Sequence, residues 1–163
     1  MERTITLSVT WKLIISVLIC QLVGIVSGVL SVTQNNGWYE SITKPYWNPP
    51  GYIFGPVWTV LYLLMSLSLW IIWKSNSYEP MKNEALLFFT SQLLLNFLWS
   101  ILFFRFHSPL IALIDIVLMF ILIFLTIFRF AKISKTAAWL LVPYISWVFF
   151  ATILNYNLWK LNN

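Results

Sequence analysis

Residues 109–130 read PLIALIDIVLMFILIFLTIFRF, with Asp115 and Arg129 as the only ionisable side chains. About 20 apolar residues in helical form cross the hydrocarbon core of a bilayer, so this stretch reads as a transmembrane helix. Four more stretches have the same character: Val9–Val32, Ile53–Trp73, Ala85–Phe104 and Ala137–Trp159. Alternation with a period of two is absent, which argues against a membrane β-barrel. The first stretch lacks a small-residue cleavage site and contains Lys12, Gln21 and a glycine pair, which suit a packed helix better than a signal peptide. The sequence therefore predicts an all-α integral membrane protein: one domain over residues 1–163, five transmembrane helices, and a long loop between helices one and two.

Composition agrees. Sixty per cent of the 163 residues are apolar and 9% are charged, against about 25% charged in a soluble domain. Mean hydropathy is +0.83. The net charge of +5 comes from ten scattered basic residues that form no basic face, so nucleic acid is not an expected partner. One cysteine (Cys20) and one histidine (His107) exclude a disulfide framework, a metal cluster and a pair of axial haem ligands. No phosphate loop and no nucleophile with a matching base is present, and the expected cofactor list is empty.

Five spans place Arg3, Lys12, Lys74, Lys82, Arg129, Lys132 and Lys135 on one face and Lys44, Arg105 and Lys160 on the other. For a bacterial cell membrane, the excess of Lys and Arg on one side puts the N-terminus in the cytoplasm and the C-terminus outside.

The long loop, residues 33–52, reads TQNNGWYESITKPYWNPPGY. Its three prolines (Pro45, Pro49, Pro50) stiffen the backbone, and its two tryptophans and three tyrosines carry much apolar area for a connection. Stiffness favours a lid over the bundle rather than a segment resting on lipid headgroups. Polar side chains inside spans are expensive and tend to face the bundle interior. Here they are Gln21 and Ser27, the stripe Gln92, Asn96 and Ser100, then Asp115, and finally Ser146 and Asn155. At about 1.5 Å of rise per residue, Asn96 lies roughly 12 Å below the outer end of its span, Asp115 roughly 9 Å and Trp58 roughly 8 Å. All three share the half of the membrane that the lid would cover. Trp147 lies roughly 18 Å down.

Each feature has a plainer use. The polar stripe serves a cavity or glues helices equally well. Asp115 reads as neutral, hydrogen-bonded and structural rather than as a proton relay. Trp11, Trp38, Trp47, Trp73, Trp139 and Trp159 fit an interfacial belt, whereas Trp58, Trp70, Trp99 and Trp147 sit deeper and need indole partners. Gly24 and Gly28 form a G-x-x-x-G pair that suits either a homodimer seam or packing against the helix's own neighbours. Pro143 should kink the fifth span. Leu154, Tyr156 and Lys160 fit a loose pattern proposed for cholesterol contact.

Four motifs then carry a resemblance. W-Y-x-x-x-x-K-P-x-W-x-P-P (Trp38–Pro50), F-G-P-V-W-T-x-L-Y (Phe54–Tyr62), Q-L-L-L-N-F-L-W-S (Gln92–Ser100) and P-Y-I-S-W-V-F-F-A-T-I-L-N-Y (Pro143–Tyr156) follow in order over the chain. Together they resemble the TspO/translocator protein family, also called tryptophan-rich sensory proteins or peripheral benzodiazepine receptors. The resemblance implies a five-helix bundle that binds tetrapyrroles such as protoporphyrin IX and haem, cholesterol-like lipids and benzodiazepine-site drugs, in a pocket beneath the first loop. It implies Trp58 and Trp147 as pocket tryptophans, Asn96 as the polar group facing the ligand, and Tyr39, Pro45, Trp47, Phe54, Tyr62 and Ala151 as walls. Ser100, one turn beyond Asn96 on the same stripe, joins them as a candidate. Light-dependent porphyrin degradation in bacterial members would engage Trp58 and Trp147, so enzyme status stays open. The expected partners are a tetrapyrrole or lipid-like small molecule and membrane lipid. The alternative is a small transporter of an apolar or amphipathic solute, which the lack of internal repeats and paired broken helices disfavours; a structural partner for another protein's helix is the third reading.

Overall fold

The computed structural model describes residues 7–163; Arg3, one of the basic residues used for orientation, lies outside them. Every regular element among the described residues is a helix. Five spans are long and apolar enough to cross a membrane: Val9–Thr33, Gly51–Lys74, Glu79–Arg105, Pro109–Ile133 and Lys135–Leu161.

Helix α1 (Val9–Thr33) starts where the Ser8 hydroxyl accepts from Trp11 N, as an N-cap does. It ends before Asn36 and Gly37, both at positive φ, a conformation that glycine and asparagine tolerate best. The loop then makes one short helix, α2 (Trp38–Ser41), before Pro49 and Pro50 lead into α3 (Gly51–Lys74). Helix α4 (Glu79–Ser100) begins six residues earlier than the apolar run beginning at Ala85 suggests. The polar turn Glu79–Glu84 is helical too, with Pro80 in the first turn, where its missing N–H is harmless, and with Lys82 paired to Glu79 at 2.7 Å. The chain continues as a π-helical turn, Ile101–Arg105. Helix α5 spans Pro109–Ile133.

The fifth span differs from the expected kinked helix. It is two helices, α6 (Lys135–Leu140) and α7 (Val142–Leu161), divided at Leu141. Pro143 occupies the first turn of α7, where proline is well accommodated. The proline thus begins a helix rather than bending one.

Around the bundle, α1 packs on α3 and α4, α4 on α5, α5 on α7, and α3 on α6 and α7, which closes the ring. The core runs through Met65, Ile72, Phe89, Met119, Ile123, Phe130 and Tyr144, all buried. Outward positions such as Leu18, Ile25, Val29, Leu118 and Phe124 are exposed and apolar, as lipid contact requires. Ser146 departs from the expected inward placement: it is exposed, and its hydroxyl donates to Val142 O at 2.9 Å in its own helix. Local bonding of this kind lets a serine face lipid. Trp70 belongs to the membrane surface rather than the interior, because its indole donates to Val9 O at 3.1 Å and Lys74 Nζ lies 3.4 Å from its ring centroid.

Gly24 packs against the protein's own α3. A Cβ there would overlap the Tyr62 ring, whereas one on Gly28 would meet nothing within 4 Å.

Candidate functional site

The loop forms a roof over the end of the bundle where α4 and its π turn finish, α5 begins and α7 ends. Asn35 nucleates α2 by accepting from Tyr39 N at 2.7 Å and donating to Glu40 at 2.8 Å. Trp38 stacks on His107 (4.7 Å between centroids) and meets Phe103 edge-on (5.4 Å). Tyr39 lies edge-on to Phe103 and Phe104, its hydroxyl donates to Asn48 Oδ1 at 3.1 Å, and Lys44 Nζ sits 4.7 Å from its ring centroid. Burial pushes the Tyr39 hydroxyl above its usual range; Glu40 adds to this and the Asn48 bond partly offsets it. A reciprocal pair of bonds pins the roof to the end of α7: Thr43 N donates to Asn162 Oδ1 and Asn162 Nδ2 donates to Thr43 O, both at 2.8 Å.

Beneath the roof lie two tiers. In the upper tier, Phe54 meets Trp147 (6.0 Å) and Trp147 meets Phe150 (5.3 Å), and the roof's Trp47 reaches down to Phe150 (5.9 Å). All three approaches are edge-to-face or tilted, and edge-to-face contact is a favourable arrangement for aromatic rings. One helical turn below Phe54, Trp58 packs on Tyr62 (5.5 Å) and on Tyr144 (6.3 Å). This lower tier is polar at its centre. The Tyr62 hydroxyl donates to Asn96 Oδ1, Asn96 Nδ2 donates to the Tyr144 hydroxyl at 3.1 Å, and that hydroxyl donates to Gln92 Oε1 at 2.7 Å. The chain ties α3, α4 and α7 together. Beside it, Trp99 donates to Asn155 Oδ1 at 2.9 Å, and Asn155 Nδ2 donates to Pro109 O at 2.8 Å.

Three buried nitrogens at this site have no hydrogen-bond partner among the described residues: the Trp147 indole nitrogen, Gln92 Nε2 and, under Trp38, His107 Nε2. A buried N–H without an acceptor is costly, roughly 1–3 kcal/mol. Asp115 Oδ2 is likewise buried without a partner. Among the described residues, that oxygen lacks the hydrogen bond expected of a structural carboxyl.

The sequence-predicted residues fall into these layers. Tyr39, Pro45 and Trp47 belong to the roof, and all three are half-buried. Phe54 and Trp147 form the upper tier, while Trp58, Tyr62 and Asn96 form the lower one. Ala151 is half-buried against the main core and Ser100 is buried one turn beyond Asn96. Leu154 points inward while Tyr156 is exposed, so the loose cholesterol-type pattern does not form one surface. Residues not singled out as site candidates include Tyr144, Phe150, His107 and Asn162. Phe150 was signalled by its position three residues beyond Trp147, one helical turn on the same face. Asn162 carried no signal, because its partner is a loop backbone 119 positions away.

Comparison with known proteins adds the lineage. Residues 16–160 match the TspO/MBR family. The chain is 41% identical to the tryptophan-rich protein TspO of Chlorobaculum tepidum over 88% of this chain and 91% of that one. It is 39% identical to the tryptophan-rich protein TspO of Archaeoglobus fulgidus, over 93% of this chain and 97% of that one. It is 35% identical to the human translocator protein, over 77% of this chain and 75% of that one. With five apolar spans, a tryptophan-bearing roof and similarity running along nearly its whole length, the chain belongs to the TspO/MBR family of integral membrane proteins.

Proposed function

We propose that this protein is a membrane receptor for tetrapyrroles, of which protoporphyrin IX and haem are the type ligands, bound between the roof and the lower tier. The observation that carries the reading is the Trp147 indole, a buried donor without an acceptor set between Phe54 and Phe150. A flat ligand with polar atoms at its edge meets both needs, with aromatic faces for its plane and an acceptor for the indole. Trp58, Tyr39, Pro45, Trp47, Tyr62, Asn96, Ser100 and Ala151 are the remaining residues assigned to the site. The tiers pack ring on ring, so ligand entry exchanges intramolecular aromatic contacts for ligand contacts and requires the roof to lift. The basic residues favour a cytoplasmic N-terminal end and an outward-facing roof.

Titration of the detergent-purified protein with protoporphyrin IX, followed by tryptophan fluorescence, tests this beside a Trp58→Phe/Trp147→Phe variant with its own unliganded baseline. Saturable binding weakened about tenfold in the variant, a loss of about 1.4 kcal/mol, is the expected result. Equal affinity in both proteins would move the site elsewhere, and no saturable binding in either would sink the tetrapyrrole reading.

A further inference from the structure

The division of the fifth span at Leu141 has a second product at the opposite end of the molecule. Where α5 ends and α6 begins, the chain turns through the single extended residue Ser134. The two helices leave between them a groove of about 220 Å³, lined by Ile127 and Ala131 of α5, Lys135, Ala138 and Trp139 of α6, and Val142. Its floor is apolar and its rim carries a lysine and an indole. Trp139 stands 71% exposed one turn from Lys135, at the headgroup level where tryptophan settles.

The charge around the groove is unbalanced. Among the described residues, this end of the bundle holds Lys12, Lys74, Lys82, Arg129, Lys132 and Lys135 against the carboxylates of Glu79 and Glu84. Both carboxylates are taken, Glu79 by Lys82 at 2.7 Å and Glu84 by Arg129 at 2.6 Å. Lys12 Nζ donates to Trp73 O at 3.4 Å, and Lys74 lies over Trp70. That leaves Lys132, which rests 4.6 Å from the centroid of the Phe128 ring, and Lys135, which has neither a carboxylate nor a hydrogen-bond acceptor among the described residues. Lys135 thus stands on the rim of an apolar groove without counter-charge among the described residues, and Lys132, next to the groove residue Ala131 on α5, has no carboxylate partner among them either.

We propose that this groove is a binding site for one anionic phospholipid of the adjoining leaflet. An acyl chain lies along Ile127, Ala131, Ala138 and Val142, the phosphate sits at Lys132 and Lys135, and the Trp139 indole N–H faces the glycerol ester oxygens. The exposed Trp139 ring breaks the flatness that a partner helix would need, and a flexible acyl chain passes beside it. The two lysines select an anionic headgroup over a zwitterionic one.

The test uses the full chain in two measurements. In native mass spectrometry of protein equilibrated with equal amounts of phosphatidylglycerol and phosphatidylcholine, one phosphatidylglycerol should be retained preferentially. Lys132→Gln and Lys135→Gln should each lower that preference about fivefold, equivalent to ~1 kcal/mol per charge, whereas Lys44→Gln and Lys160→Gln at the other end should leave it unchanged. In bilayers, bromine on the phosphatidylglycerol chains should quench the fluorescence component that Trp139→Phe removes, and bromine on phosphatidylcholine should quench it less. Equal retention of the two lipids, or an equal effect of lysine changes at both ends, would overturn the proposal. Protection of Trp139 from both brominated lipids would also overturn it, because protein would then cover the groove.

Discussion

Gly24 of α1 and the ring of Tyr62 on α3 fill one contact: a methyl group on Gly24 would lie 2.6 Å from Tyr62 Cε2. The same tyrosine donates its hydroxyl to Asn96. The absence of a side chain on α1 therefore sets where a hydroxyl of α3 can reach α4.

Gly24→Ala is expected to displace the Tyr62 ring and lengthen its bond to Asn96, with a destabilisation of about 1–3 kcal/mol typical of overpacking. Gly28→Ala, which adds a methyl group in open space, should change stability by less than about 0.5 kcal/mol. Thermal unfolding of both variants in one detergent measures the difference. Equal melting temperatures would show that the Gly24 contact relaxes freely.

Asn162→Ala removes both bonds between the end of α7 and Thr43. At about 1 kcal/mol net for each bond, roof opening should become roughly thirtyfold more frequent, while the buried core and the melting temperature change little. Hydrogen exchange over residues 38–47 reads this directly, and wild-type exchange rates in the variant would mean that aromatic packing alone holds the roof.

Tyr39 gives the roof an alkaline limit. Its hydroxyl is held above the usual range chiefly by burial, so folding favours the neutral form. The contribution is complete below the unfolded value near 10 and fades as pH rises through the higher folded value. The fluorine NMR line of a fluorotryptophan at Trp47 should therefore shift toward an open roof only above about pH 10. Tyr39→Phe should remove that transition, and a transition of the same midpoint in the variant would assign it to another group.

Much of the architecture was legible because membranes make burial simple. A run such as Pro109–Phe130 has only one stable form in hydrocarbon, and the prolines and aromatic rings of 38–50 had no comfortable place in water. The Gln92–Asn96–Ser100 stripe was readable as one buried face, but not its use. Whether it glues helices or lines a cavity depends on Tyr62 and Tyr144, which arrive from helices whose register the sequence does not state. Pro143 signalled a disturbance of the fifth span without saying that the break falls at Leu141. Ser146 misled because a serine bonded to its own helix needs no interior. The π turn at Ile101–Arg105 leaves no compositional trace, since it adds a residue to a turn without altering its apolar character.

The Thr43–Asn162 pair also bears on biogenesis. Helices α1 to α5 can enter the membrane and pack while the later chain is still being made, yet the roof lacks its anchor, and the site lacks Trp147, Phe150 and Asn155, until α7 has emerged. Assembly of the roofed aromatic tiers is thus a terminal event in synthesis. A nascent or truncated chain ending before α7 would have four of its five spans inserted while its first loop lacked the Thr43–Asn162 bonds.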